Sequence, residues 1–299
     1  MHIPSSMLHG AVCPVTVVLG AAGTGLAVYC ARQAEDAPSA AKFSAVTALV
    51  FALQMLNFPV QDGTSGHLLG GVLTVALLGI SHAVLSMVIV LAVQAFFFGD
   101  GGVGALGANG LNMALLGAGV AGLLFERMKK TSVPRNMALA LAAWASVILA
   151  SMACSFEVAF SGAAAMEKVL PAMLKVHALI GIGEAFLTVA VLAAVNACGH
   201  LWRQKEKGTA WTALALAVVA VVMSPFASNL PDGLESVSAG LSFVGLNGME
   251  RPALFADYVF PGITDASLSG ICAGLAGVMV VVLLSRMTGG ALRSAGRTA

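Results

Sequence analysis

The start of the chain and one distant histidine are the residues here best suited to act together as a chemical unit. Met1 and His2 offer three nitrogens in a row. They are the free α-amine, the His2 backbone amide once deprotonated, and the His2 ring. The first pair closes a five-membered chelate and the second pair a six-membered one. Three nitrogens then lie in a plane with the fourth corner open. Square-planar nitrogen coordination suits Ni(II) and Cu(II), and the charge of the metal itself makes the amide acidic enough to ionise. The best source of a fourth nitrogen is His67, in the stretch GTSGHLLGG. Gly63, Gly66, Gly70 and Gly71 around it let backbone approach backbone closely. Spacing alone does not make a site, because a Met-His start is commonly coincidence and a lone loop histidine is commonly just solvated.

The elements that must position these groups are membrane helices. The 299 residues are 59% hydrophobic and only 10% charged, with a mean hydropathy of +0.93. A soluble domain carries roughly 25% charged residues, so there is too little polar surface here for a water-soluble globule, and lipid must be the main solvent. A net charge of +1 gives no support to nucleic-acid binding. Cys13, Cys30, Cys154, Cys198 and Cys272 show no C-x-x-C spacing and lie in or beside apolar runs, so they read as packing residues. No basic residue precedes Arg32, which argues against a cleaved signal peptide. The start is expected to be mature, with Met1 retained before the large His2.

Spanning-length apolar stretches occur at about 10–31, 43–60, 108–126, 136–156, 172–199, 209–227 and 268–286. Residues 68–98 are apolar throughout. As one helix they would reach about 46 Å at 1.5 Å per residue, against a hydrocarbon core of about 30 Å. Gly79-Ile80-Ser81-His82 is the expected break. With that break and the N-terminus outside, twelve Lys and Arg residues face inward, and only Lys168, Lys175 and Arg251 face outward. Without it the split weakens to five against ten, so the positive-inside rule favours the break. The expectation is an all-α integral membrane protein of about nine transmembrane helices, N-terminus outside and C-terminus inside. The 68–80 helix is expected to span only partly. The chain start, the loops 57–67 and 99–107, and the polar stretch 228–267 then share the outer face.

Other residues carry weaker signals. His9 is near the start but reads as an interfacial residue. His82, His177 and His200 lie in helices or near the inner face. Glu184 sits within a span, where a carboxylate is expensive and usually functional; a hydrogen-bonded structural role is equally consistent. Residues 102–107 fit G-x-G-x-x-G but follow a membrane helix, without the βαβ unit a dinucleotide site needs, and read as a tight outer loop. Asp100, Asn109 and Asn112 nearby are placed to line a site or to cap the next helix. The stretch 228–267 is net acidic, with Asp232, Glu235, Glu250, Asp257 and Asp265 against Arg251, and is either a concentrator of divalent cations or an ordinary solvated loop.

The start MHIP, then NFPVQDGTSGHLLGG (57–71), QAFFFGDGGVGALGANGLNMA (94–114) and HALIGIGEA (177–185), resemble the substrate-binding membrane subunit of energy-coupling-factor nickel/cobalt transporters, the NikM/CbiM type. PDGLE (231–235) between two membrane helices resembles their small accessory subunit. The resemblance implies a seven-helix metal-binding subunit over 1–205 fused to a two-helix accessory part over 206–299, with its outer loop at 228–267. It implies Ni2+ or Co2+ as transported substrate, held by Met1, His2 and His67, with no organic cofactor. It also implies a transmembrane coupling subunit and cytoplasmic ATPase subunits as partners, in the inner (plasma) membrane. The family usually begins MHIPDG or MHIMEG, whereas this chain has Ser5-Ser6. Asn57, Asp62 and Ser65 are candidates for the carboxylate or donor that such a start supplies, since a metal-bound ring needs its other nitrogen held.

Two rivals remain at this level. A membrane enzyme is disfavoured, because no H-E-x-x-H or cofactor motif is present. A stand-alone divalent-metal channel or ion-coupled carrier would favour several charged residues along a membrane path, and only Glu184 lies deep in a span.

Overall fold

A computed structural model describes residues 2–199, 205–242 and 253–296. Met1, His200, Arg203, Glu250 and Arg251, on which the sequence reading drew, lie outside the described residues. In chain order the elements are α1 (Val12–Arg32), α2 (Ala40–Gln54), β1 (Asn57–Pro59), β2 (Ser65–His67), α3 (Gly71–Leu78), α4 (Ile80–Phe98), α5 (Val103–Met128), α6 (Arg135–Phe160), α7 (Met166–Gly199), α8 (Lys205–Met223), α9 (Gly233–Leu241) and α10 (Ala266–Gly296). Seven of these, α1, α4 to α8 and α10, are long and apolar enough to cross a membrane. The protein is a multi-pass membrane protein.

The long apolar run breaks at Gly79, whose φ of 80° and ψ of 164° suit glycine and few other residues. The eight residues of α3 reach about 12 Å, so α3 goes only part of the way across. The sequence expectation of about nine crossings therefore becomes seven full-length helices plus α2 and α3. With 15 residues, α2 is about 22 Å long. It stops early because residues 57–59, which the apolar stretch had included, form β1 instead.

No amphipathic stripe runs along α2, and Phe43, Val46, Leu49, Val50 and Phe51 are fully buried. A helix that is apolar all round is a core helix. Packed around it are α3, α4, α8 and α10. On α10, a Cβ at Gly277 would stand 2.3 Å from the Phe51 ring, the close approach that small residues permit between membrane helices. At the other end, the Ser39 N–H donates to Glu206 Oε1 at 3.1 Å, joining α2 to α8. The outward faces are apolar, as lipid requires, with Val18 and Leu26 of α1, Phe186 of α7 and Leu283 of α10 exposed.

Two departures from the loop reading bear on function. The stretch 57–67 is an antiparallel hairpin pairing Asn57 with His67, Phe58 with Gly66 and Pro59 with Ser65. It seats in a notch of α7, where Gly183 makes room for the Phe58 ring and Gly66 for Ile180. The stretch 228–267 contains α9, opened by a capping box in which Asp232 accepts from the Leu234 and Glu235 N–H groups and Glu235 returns a bond to the Asp232 N–H. The Ser65 N–H donates to the Pro231 carbonyl and the Ser228 N–H to the Asn57 carbonyl, both at 2.8 Å, so residues 228–231 lie along the hairpin. Helical geometry widens to π-type at Gln94–Phe98 and Gly110–Val120; such segments recur at functional sites.

Gly107 meets α1 backbone to backbone: an added Cβ would stand 2.6 Å from Val17 N and 2.7 Å from its Cα. No side chain can swing away to relieve that clash. Gly107→Ala is expected to cost about 1–3 kcal/mol, read as a lowered melting temperature in detergent. Gly240→Ala, with nothing within 4 Å of the new Cβ, should leave it unchanged or raise it slightly.

Candidate metal centre

The hairpin delivers His67 at the end of β2, half-buried, with its Nδ1 3.1 Å from the Leu68 carbonyl. A carbonyl only accepts, so Nδ1 carries the ring proton and Nε2 carries the lone pair.

The chain start is threaded inward beside it. Ile3 is fully buried, and Asn109 grips it from both sides. Its Oδ1 accepts from the Ile3 N–H at 2.9 Å, and its Nδ2 donates to the Ile3 carbonyl at 3.1 Å and to the Gly101 carbonyl at 2.8 Å. Ser5 accepts from the Gly104 N–H at 3.0 Å, so this residue of the departing start anchors it to the turn that opens α5. The His2 ring then stacks on that of His67, with centroids 5.4 Å apart and planes at 16°. His2 Nε2 lies 3.1 Å from Gln94 Oε1 and Nδ1 lies 3.2 Å from Asp100 Oδ1. The Tyr258 hydroxyl donates to Asp100 Oδ2 at 3.1 Å.

Glu184 has a definite place. Fully buried in α7, its carboxylate accepts from the Leu69 N–H at 2.5 Å and the Gly70 N–H at 2.9 Å, two and three residues past His67. The Leu69 carbonyl accepts from Gln54 Nε2 at 2.8 Å, and Gln54 Oε1 accepts from Gln94 Nε2 at 2.8 Å. The intramembrane carboxylate therefore holds the strand that carries His67.

The remaining sequence candidates are placed as follows. Asn57 lines the site opposite His67. The Ser65 hydroxyl bonds to the Leu230 and Pro231 carbonyls. Asp62 is exposed at the hairpin turn with φ 59° and does not reach the rings. The Leu68 carbonyl, rather than any of these three, holds the second nitrogen of His67. His9 is exposed, His82 packs edge-on against Phe43, and His177 donates to the Met173 carbonyl. Met1 lies outside the described residues. Among the described residues no three His, Cys, Asp or Glu side chains cluster closely enough to hold an ion. Gln54, Gln94 and Tyr258 were missed, and Asp232 was read only as one of an acidic stretch. Gln54 and Gln94 did carry a signal, being primary amides inside apolar helices.

The rings face a cavity of about 760 Å³ between the two parts of the chain, lined also by Asp100, Asp232, Asp257 and Tyr258. The described residues lining it include no Lys or Arg, so its field favours cations. Burial lowers the His2 pKa and pushes that of His67 down to about 3, keeping both rings neutral and competent to donate lone pairs. Burial alone would raise the Asp232 carboxyl; nearby positive charge and the Glu235 N–H hold it well below the usual range instead. Tyr258 is raised by burial and by Asp100.

These shifts predict an acid-sensitive fold. An unfolded histidine titrates near 6.5, so between about pH 6.5 and 3 the unfolded chain binds a proton that folded His67 refuses. Stability of the metal-free protein should be full above that window and fall by about 1.4 kcal/mol per pH unit within it. Melting temperatures across pH 7 to 4 should fall less steeply for His67→Asn than for the native chain.

The family described as the cobalt uptake substrate-specific transmembrane region matches residues 2–202, and the PDGLE domain matches residues 207–294. A putative fused nickel transport protein of Archaeoglobus fulgidus is 31% identical over 292 residues, covering 95% of this chain and 96% of its own length. A probable fused nickel transport protein of Lactiplantibacillus plantarum is 29% identical over 96% of this chain and 97% of its own. The solved structure of a transition metal transporter superposes with a TM-score of 0.60 at 26% identity, covering 67% of this chain and 94% of that one. With the hairpin, its histidine and the buried chain start all inside the matched region, the chain belongs to the family of cobalt-uptake substrate-specific transmembrane proteins and carries a PDGLE domain behind it.

Proposed function

We propose that this chain is the metal-capture subunit of an ATP-driven energy-coupling-factor importer of Ni2+ or Co2+. The observation that carries the reading is the stacking of His2 on His67, 5.4 Å apart, at the wall of a cation-favouring cavity. The Met1 amine, the His2 amide and ring, and His67 Nε2 supply four nitrogens to one ion, with Asn57, Asp100, Asn109 and Glu184 supporting them. Residues 1–205 form the binding subunit and 206–299 the accessory part. The N-terminus and cavity face outward and the C-terminus inward, as the charge distribution favours. A transmembrane coupling subunit and cytoplasmic ATPase subunits supply the energy. Names of the relatives support nickel or cobalt as cargo.

The test is metal content by mass spectrometry on the purified chain, with its native start and with several residues added before Met1. The native form should hold about one nickel or cobalt per chain, while the extended form and His67→Ala should hold almost none. Equal binding by native and extended forms would remove Met1 from the site. Uptake into liposomes by this chain alone, without ATPases, would replace the capture subunit by a stand-alone carrier.

A further inference from the structure

We infer that Ile180 of α7 is a positioning residue for the metal centre, one peg that seats both the strand carrying His67 and the start of α9 next to Asp232; the inference rests on the metal reading of His67. The two seats are glycines. A Cβ added at Gly66 would stand 2.7 Å from Ile180 Cγ2, 2.8 Å from Cγ1 and 3.2 Å from Cβ. A Cβ added at Gly233 would stand 2.8 Å from Ile180 Cδ1 and 2.8 Å from His177 Cε1. Different atoms of one side chain therefore fill the two gaps. Neither glycine has a positive φ, so space, rather than backbone freedom, excludes a side chain there. Gly66 directly precedes His67, and Gly233 directly follows Asp232.

The packing around the peg leaves little slack. Ile180 is buried, and the gap it shares with Gly66, His67, His177, Asp232 and Gly233 has room of about 10 Å³, that of one water at most. In so close-packed a place a displaced group must push its neighbours. The two seated segments are also tied to each other. The Ser65 hydroxyl donates to the Leu230 carbonyl at 2.7 Å, and the Ser65 N–H donates to the Pro231 carbonyl at 2.8 Å. Glu184, one turn beyond Ile180 on the same helix face, grips the Leu69 and Gly70 N–H groups. The hairpin and the entry to α9 thus rest as one unit on one face of α7. His67 and Asp232 both line the metal cavity. Ile180 offers no donor to an ion, yet its shape sets how these two residues stand to each other across that cavity.

The test is a size-exchange cycle in the full-length protein, read by Ni2+ affinity and by the melting temperature of the metal-free form in detergent. Gly66→Ala and Ile180→Ala should each weaken Ni2+ binding about tenfold, as when groups that orient a ligand are disturbed. Together they should return binding to within about threefold of the native chain, because the added methyl enters the space the larger side chain left and the two changes share one contact. Ile180→Val removes Cδ1 and keeps the atoms that face Gly66. It should weaken binding about threefold by loosening the Gly233 seat, and it should not rescue Gly66→Ala. Additive losses in the Gly66→Ala, Ile180→Ala double variant, equal rescue by Ile180→Val, or native affinity in Ile180→Val would each overturn the shared seat. Rescue of the melting temperature with Ni2+ affinity unchanged in every variant would also overturn it, since Ile180 would then be packing alone. If the cycle runs as stated but a lengthened chain start binds Ni2+ as well as the native one, the four-nitrogen reading fails and the peg stands.

Discussion

The Glu184 carboxylate in α7, accepting from the Leu69 and Gly70 N–H groups, is the interaction on which the site depends. The chain between β2 and α3 is neither strand nor helix, and it lies where water is scarce. Backbone N–H groups left without partners there would cost several kcal/mol each. A single carboxylate answers two of them and turns an irregular segment into a fixed one. The Leu69 carbonyl of the same segment is answered by Gln54. Once these groups are satisfied, the neighbouring His67 has little freedom to wander, and the rest of the site is built against it.

The second requirement is depth. A chain terminus normally frays, yet here Ile3, Met7 and Leu8 are buried and Asn109 pairs with Ile3 as a neighbouring strand would. Apolar anchorage and one amide side chain thus place His2 beside His67, 65 residues further along. The accessory part completes the enclosure rather than adding a separate body. Residues 228–231 run along the hairpin, and Tyr258 reaches Asp100, the carboxylate next to His2.

Much of this was legible in the residues. Period and length gave the helices, and charge asymmetry together with an overlong apolar run located the break at Gly79. Chelate ring sizes nominated Met1 and His2, and the glycine-rich loop nominated His67. What the sequence hid was local geometry decided by distant partners. NFP followed an apolar run and looked like the end of a helix; it is a strand because Ser65 to His67 pair with it and Gly183 makes room for Phe58. The polar stretch after α8 read as a loop, either one that concentrates cations or one that is simply solvated, although Asp232 and Glu235 do spell a capping box three residues apart. Asp62 looked useful because it is close to His67 in sequence, but the hairpin turns it away. Gln54 and Gln94 are 40 residues apart and gain meaning only when α2 and α4 lie side by side.

The enclosure of α2 also has a meaning in time. Its 15 residues make a rod of about 22 Å, shorter than a hydrocarbon layer of about 30 Å. In the finished protein α8 and α10 shield it and the shortfall is hidden from lipid. During synthesis, however, α2 emerges about 150 residues before α8 and more than 200 before α10. Until they arrive, the bilayer must thin or the helix ends must be drawn inward, which is the strain of hydrophobic mismatch. Packing of α8 and α10 against α2 relieves that mismatch. The short buried helix thus depends on the last helices of the chain to be hidden from lipid.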